Sequence, residues 1–235
     1  RESAERILVA SEKAKQSAYL TNKGESGMLA IVHSDDYIAD FLPDLLYQFS
    51  LRYPNVYLDF YQGITTGFPE RINRGEVDCA FSTLPLPAAA ADYEILPLSP
   101  TAIVAVVPDN HPLSKRKKVT LEETINECLF QITGTKTAAF GVKLEQLQVK
   151  AGIQIKSRFA TDGSQVEMEM VRRGYGITFT TETSVPTGMK GITVLKLDDP
   201  DAYLERALVW RKDNTNPALK RFIEVMQEHL ELPSH

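Results

Sequence analysis

The sequence has few of the residues that support metal centres or disulfide frameworks. It contains two cysteines, Cys79 and Cys128, and four scattered histidines in 235 residues. Neither cysteine lies in a zinc-binding spacing, so we predict no metal site and no cofactor. Both cysteines lie in apolar stretches, which predicts buried free thiols; a redox-sensing pair is the alternative.

Long apolar runs are also absent. No stretch approaches the ~18 residues that a membrane-spanning helix needs, and no signal-peptide pattern is present. Buried free thiols are typical of a reducing compartment. From these features we expect a cytoplasmic protein that does not enter a membrane.

The chain lacks a surplus of positive charge. It has 26 Lys and Arg against 31 Asp and Glu, a net charge of −5. Because phosphate binding needs concentrated Lys and Arg, we expect no direct contact between this chain and nucleic acid. The only basic run, residues 115–118, predicts a solvated loop, with a phosphate-binding patch as the alternative.

Catalytic motifs are missing as well. There is no Gly-rich phosphate loop, GxSxG, HExxH or CxxC pattern. Nothing in the sequence identifies a nucleophile or a leaving group. Four carboxylates could in principle act as general acids or bases: Asp35, Asp36, Asp162 and Glu182. We therefore expect a binding protein rather than an enzyme.

What the sequence does have is a regular alternation of apolar strand and helix patterns. Residues 1–20 predict a helix whose small-residue stripe suits packing on a partner chain, and 22–27 predict a linker. Strands are then predicted at 28–32, 56–60, 77–81, 93–98, 102–107, 129–132, 153–160, 176–180, 194–197 and 204–211. Helices are predicted around 42–49, at 68–74, from Thr120, and at 138–151, 163–173 and 214–230. This order predicts an α/β fold with parallel sheets in two lobes, joined by strands passing near residues 100 and 208.

Several short motifs follow one another in a characteristic order: Leu42-Pro43, Tyr53-Pro54, Gly75 to Ala80, Val106 to Pro108 with His111-Pro112, Val171 to Ile177, and Asn216 to Phe222. In this order and spacing the chain resembles the effector-binding domain of LysR-type transcriptional regulators. Most of these residues have structural uses, because glycine and proline act mainly through their allowed dihedral angles.

The resemblance implies two Rossmann-like lobes of the type II periplasmic-binding-protein fold. Lobe I would comprise residues 27–103 and 208–235, and lobe II residues 104–207. Residues 1–26 would be the end of a linker helix and the linker. The resemblance also implies a homodimer or homotetramer that contacts DNA only through a winged helix-turn-helix upstream of this chain.

Loops at the carboxyl ends of the predicted strands are rich in hydroxyl groups. Ligands of open α/β sheets bind at such ends, and helix N-termini there favour anions. We predict ligand contacts from the hydroxyls of Ser34, Thr65, Thr66, Ser82, Thr133, Thr135, Thr161 and Thr180, although each could instead cap a helix. The resemblance places contacts at positions matching Ser34, Asp36, Thr65, Thr66 and Phe140 and in the 133–137 loop; Phe140 could be a core residue instead.

Asp35 and Asp36 depart from the family pattern, which has uncharged residues at this helix start in many members. A carboxylate facing the cleft would favour a ligand with an ammonium group or several hydroxyls. The sequence therefore predicts a domain that senses a small polar metabolite, such as a carboxylate or an amino-acid-like molecule. The alternative is an extracytoplasmic solute-binding protein of a transport system.

Overall fold

The computed structural model describes residues 15, 19–33, 41–62, 68–86, 90–127, 129–132, 139–155, 157–161 and 164–231. Within these residues the helices are α1 (Leu42–Arg52), α2 (Phe68–Asn73), α3 (Ala139–Ala151), α4 (Ser164–Arg172) and α5 (Pro217–Glu231). The strands are β1 (Ser26–His33), β2 (Asn55–Gln62), β3 (Cys79–Thr83), β4 (Tyr93–Pro108), β5 (Lys118–Val119), β6 (Leu129–Ile132), β7 (Ser157–Thr161), β8 (Ile177–Thr181), β9 (Ile192–Leu197) and β10 (Tyr203–Arg211).

The first sheet has the strand order β2-β1-β3-β10-β4. β1 is parallel to β2 and β3, and β10 is antiparallel to β3. Successive residues of a strand face opposite sides of the sheet. Leu29 and Ile31 accordingly belong to the core under α1 and α5, whereas Ala30 and Val32 belong to the core under α2.

The second sheet continues from β4 through β8, β6 and β7, with β9 on the other side of β4 and β5 beyond it. Ile103 and Ala105 of β4 face the core that holds Leu147 of α3. Val104 faces the opposite core, with Met168 of α4. Each sheet is thus covered on both faces, as its apolar strands predict.

Two strands run through both halves of the molecule. In β4, Leu98 belongs to the first-sheet core and Ile103 to the second-sheet core. In β10, Leu208 belongs to the first and Leu204 to the second. The prediction of two strands passing between two lobes agrees with this arrangement, while the residue boundaries of the lobes stay a prediction.

Two predicted strands, 93–98 and 102–107, are one 16-residue strand. Pro100 lies between the two predicted segments, and proline cannot donate to a sheet ladder. The register between β4 and β10 shifts between Leu204 and Arg206, opposite this proline. An irregular pairing accommodates a missing N–H donor, so the strand continues through it.

The helix predicted from Thr120 is wrong. The Glu123 carboxylate does accept the Thr120 N–H at 2.9 Å, which is half of the predicted capping box. The segment is a 3₁₀ turn at Glu122–Thr124, however, and the Thr124 hydroxyl donates to the Leu121 carbonyl at 2.7 Å. Threonine hydroxyls that bond to nearby carbonyls compete with helix continuation.

The strand predicted at 153–160 begins only at Ser157, and residues 153–155 are not in a strand. The remaining strands and helices agree with their predictions within shifts of one to three residues in the described part of the chain. Gly75, Gly152 and Gly174 follow α2, α3 and α4 with positive φ, as expected of helix C-caps. The sheets are mixed rather than parallel, since β4, β9 and β10 have antiparallel neighbours.

Of the helix predicted at 1–20, residues 15, 19 and 20 are described and are helical. In the part of the chain that the structure describes, no helix is both long and apolar enough to cross a membrane.

Candidate functional site

The strand registers bring the carboxyl ends of both sheets to one place. Thr83, the last residue of β3, lies opposite Arg206 of β10, and Arg206 lies opposite Leu98 of β4. Thr181, the last residue of β8, lies opposite Ile103 of the same β4 strand. The two sets of parallel strands therefore end within a few residues of each other along β4, and we call the region where they end the cleft.

Polar side chains are buried at this place, where apolar residues would otherwise be expected. We call them the crossover band: Ser82, Thr83, Thr101, Thr180, Thr181 and Arg206, each at most 7% exposed. Buried hydroxyls cost free energy unless they are hydrogen-bonded. The band is a polar layer between two apolar cores, which is suited to binding a polar group.

Hydroxyl contacts join the crossing strand β4 to the turn after β8. The Oγ1 atoms of Thr101 and Thr183 are 3.1 Å apart. The Oγ atoms of Thr181 and Ser184 are 2.6 Å apart. These contacts hold the end of β8 against β4, so a ligand that contacts Thr181 or Thr183 would also affect the crossing strand.

Arg206 gives the crossover band a positive charge. Its side chain is 3% exposed, and its Nε donates to the Ser99 carbonyl oxygen at 2.7 Å. Arg206 was not among the predicted site residues. The available signal was an arginine inside the apolar strand run that includes Leu204 and Leu208, because charged residues are rarely buried without a partner or a function.

Of the predicted site residues, Ser82 and Thr180 lie in the crossover band. The Ser82 hydroxyl donates to the Thr83 carbonyl at 3.2 Å. Thr180 is 5% exposed, and its hydroxyl makes no hydrogen bond to another described residue. Thr161 is the last residue of β7 and pairs with Ile132, the last residue of β6, so its backbone lies at the same edge of the sheet.

Phe140 lies in the first turn of α3, half-buried, and packs against the second-sheet core. This packing agrees with the core alternative and leaves its contact with a ligand a prediction. Six predicted residues lie outside the described part of the chain: Ser34, Asp36, Thr65, Thr66, Thr133 and Thr135. They follow β1, β2 and β6, and the carboxyl ends of β1 and β2 lie at the same sheet edge as that of β3.

Metal binding has no support from the described side chains. Among them, no group of three or more His, Cys, Asp or Glu is close enough to hold an ion. Burial raises the pKa of the Cys79 thiol, which disfavours the reactive thiolate. Cys128 lies outside the described residues.

The family model for the LysR substrate binding domain matches residues 22–231. The chain belongs to this family. The HTH-type transcriptional regulator AlsR of Bacillus subtilis (strain 168) is 24% identical to it over 208 residues, which are 88% of this chain and 68% of AlsR. The Hca operon transcriptional activator HcaR of Escherichia coli (strain K12) is 28% identical over 202 residues, which are 80% of this chain and 63% of HcaR.

Solved structures show the same fold. CbnR, a LysR family transcriptional regulator, superposes with a TM-score of 0.79 at 17% identity, covering 95% of this chain and 77% of CbnR. The effector-binding domain of QuiR in complex with shikimate gives 0.78 at 22% identity, covering 88% of this chain and 98% of that one. The effector-binding domain of BenM with benzoate gives 0.72 at 18% identity, covering 88% and 95%.

These comparisons confirm the family and the type II periplasmic-binding-protein fold that the motifs predict. This LysR domain spans about two thirds of the length of the curated relatives, at 68% of AlsR and 63% of HcaR. AlsR is a transcriptional regulator and HcaR a transcriptional activator.

Proposed function

We propose that this LysR effector-binding domain senses a small polar metabolite in the cleft and relays its binding to DNA-binding domains of the same protein. The observation that carries the proposal is the crossover band, where buried hydroxyls and one guanidinium lie between two apolar cores. Ligand sites of proteins combine an apolar surrounding with a few converging polar groups in this way.

The chemistry of the band favours a ligand that has a carboxylate and further hydrogen-bonding groups. Hydroxyls and a guanidinium donate hydrogen bonds, and charge-assisted bonds to a carboxylate are the stronger kind. The shikimate bound by QuiR and the benzoate bound by BenM are both carboxylates. The proposed contacts remain Ser34, Asp36, Thr65, Thr66, Ser82, Thr133, Thr135, Phe140, Thr161 and Thr180, with Arg206 added.

Asp36 separates two versions of the ligand. If its carboxylate faces the cleft, it favours an amino-acid-like molecule over a simple organic acid, because an ammonium group can pair with it. A calorimetric comparison of wild type and Asp36→Asn against amino acids and organic acids tests this. Unchanged affinity of Asp36→Asn for an ammonium-bearing ligand removes Asp36 from the proposal.

A thermal-shift screen identifies the ligand class directly. The panel contains benzoate, shikimate, short dicarboxylates and amino acids, and a compound that binds the folded domain raises its melting temperature. Thr180→Val then removes one hydroxyl of the crossover band without changing its size. We expect the affinity for the best compound to fall about 5- to 10-fold, which corresponds to ~1 kcal/mol for one hydrogen bond.

Thr124→Val is the matched control. Thr124 is also a fully buried threonine, but its hydroxyl donates to the Leu121 carbonyl, away from the crossover band. The control should lose stability and keep its ligand affinity. Equal losses of affinity in Thr180→Val and Thr124→Val would contradict the proposed cleft site. A ligand whose affinity does not change when Thr180 or Arg206 is substituted would also contradict it.

The relay requires two states of the protein that bind the ligand with different affinity. We propose that ligand binding rotates the lobes about β4 and β10 and so changes how subunits pair. Small-angle scattering of the full-length regulator with and without a saturating ligand tests this step. Identical scattering curves would contradict the proposed rotation of the lobes but not the proposed ligand site.

A further inference from the structure

One buried carboxyl group in the second half of the molecule has no role in the site described so far. Glu167 lies in the first turn of α4 and is 1% exposed. Its Oε1 accepts a hydrogen bond from the Thr178 hydroxyl of β8. Its Oε2 is buried and has no hydrogen-bond partner among the residues that the structure describes. A carboxylate in this position would be only half satisfied.

The surroundings of Glu167 are apolar. The side of the second sheet that faces α4 contributes Val104 and Val106 of β4, and α4 itself contributes Met168 and Val171. In such surroundings a charged group loses the hydration that stabilises it in water. The neutral, protonated carboxyl is therefore favoured while α4 stays packed.

The strands packed against α4 are β4, β6, β7 and β8, and Val185, Met189 and Ile192 pack against the same apolar cluster. The charged residues of this segment, Glu182 and Lys190, are exposed. β6 and β8 carry no ionisable residue. The ionisable residues of β4 are Tyr93 and Glu94, which lie in the first sheet, at the end of the strand away from α4. β7 contributes Arg158, whose side chain lies outside the described part of the chain.

On α4 itself the charges face outward. Glu169 pairs with Arg172 at 2.7 Å and with Arg173 at 2.8 Å, and all three side chains are more than a third exposed. Among the described side chains, none places a positive charge against Glu167. Its burial raises the pKa of Glu167 from 4.5 to about 7, and the hydrogen bond from Thr178 lowers it by less.

We propose that Glu167 is a proton switch that couples the packing of α4 on the second sheet to pH. With the carboxyl protonated, the first turn of α4 packs against Thr178 and the apolar cluster. When the proton leaves, the carboxylate draws in water, and the first turn of α4 loosens. This turn follows β7, at the edge of the sheet that borders the cleft, so pH becomes a second input to the domain.

The direction of the effect follows from proton linkage. A carboxyl whose pKa is raised by packing binds its proton more tightly in the packed state than in the loosened one. Packing is therefore strongest at low pH and weakens as pH rises through about 7. The switch does not depend on any effector, so it stands or fails separately from the proposed ligand site.

Amide hydrogen exchange of residues 164–172, corrected for the intrinsic effect of pH, measures the packing of α4. Between pH 5 and pH 8.5 we expect the protection of these amides in wild type to fall by roughly 30- to 100-fold, the range set by the pKa difference. In Glu167→Gln, which keeps the shape but cannot ionise, the protection should change little. Glu169→Gln, which alters an exposed carboxylate on the same helix, should behave as wild type.

A second measurement needs no variant. Carboxyl carbon-13 NMR of the wild-type domain should show one glutamate titrating near neutral pH. The switch is overturned if every glutamate titrates below pH 5.5. It is also overturned if α4 protection in wild type does not depend on pH, or if Glu167→Gln keeps the full dependence.

Discussion

At the scale of single residues, Arg206 carries a testable structural role. Its Nε donates to the Ser99 carbonyl at 2.7 Å and so connects β10 to β4 where the strand register shifts. Arg206→Met keeps the length of the side chain and removes the donor, which leaves the Ser99 carbonyl without this charge-assisted bond. We expect the free energy of unfolding, measured by urea denaturation, to fall by about 1–3 kcal/mol.

Arg52→Met is the control for this prediction. Arg52 pairs with Glu228 at 2.7 Å, but both side chains are at least half exposed. Exposed ion pairs contribute about 0–1 kcal/mol, so this variant should lose much less stability. Equal losses in the two variants would show that the Arg206 bond adds nothing beyond an ordinary surface contact.

Residue types and strand positions predicted part of the site. Ser82 and Thr180 were predicted because they stand at the ends of apolar runs, and both lie in the crossover band. Arg206 and Glu167 were missed because each lies inside a segment whose pattern is explained by secondary structure alone. Whether such a charge faces solvent or a core depends on strands outside its own segment, such as β4 for Arg206 and β8 for Glu167.

At the scale of elements, the turn before β1 is fixed against α5. Arg221 of α5 donates from its Nε to the Lys23 carbonyl at 2.9 Å. Gly24 adopts φ +72°, and a Cβ atom there would lie 2.3 Å from the Pro217 carbonyl oxygen. Neither the backbone of the turn nor the start of the helix can move away easily, so only glycine fits.

Gly24→Ala should therefore destabilise the domain by more than about 3 kcal/mol, from the left-handed conformation and the clash together. Gly75→Ala is the matched comparison, because φ there is +68° and a Cβ would meet nothing within 4 Å. That variant should cost about 1–2 kcal/mol. Urea denaturation of both variants separates the clash from the strain, and losses of equal size would refute the close contact.

Element type was predictable wherever one pattern dominated. The apolar run 28–32 and the helix at 214–230 agree with β1 and α5, because apolar patterns of this length form one kind of element. The continuity of β4 was not predictable, since it depends on the shifted pairing with β10. The 3₁₀ turn after Thr120 was missed for a similar reason: a capping-box pattern marks the start of a helix but does not set its length.

At the scale of the whole molecule, the two cores are not independent. β4 and β10 each place one end in the first-sheet core and the other in the second-sheet core. If one core melts, the ends of both crossing strands lose their packing, and this weakens the pairing that the other core needs. A domain that transmits ligand binding between lobes needs such a mechanical connection, because energetic coupling travels through packed, rigid elements.

The single tryptophan makes this coupling measurable. Trp210 of β10 packs at the edge of the first-sheet core, so its fluorescence reports on that half of the molecule. Leu147 of α3 is 2% exposed and belongs to the second-sheet core. Leu147→Ala should lower the free energy of unfolding by about 2–5 kcal/mol, the usual cost of such a cavity. Because β4 and β10 join the cores, the urea midpoint from Trp210 fluorescence should fall together with the midpoint from far-ultraviolet circular dichroism.

Val149→Ala is the control, because Val149 lies on the exposed side of the same helix and is 75% exposed. This variant should move neither midpoint appreciably. If Leu147→Ala leaves the Trp210 midpoint in place and splits the circular dichroism transition, the lobes unfold separately, and the crossing strands do not couple them.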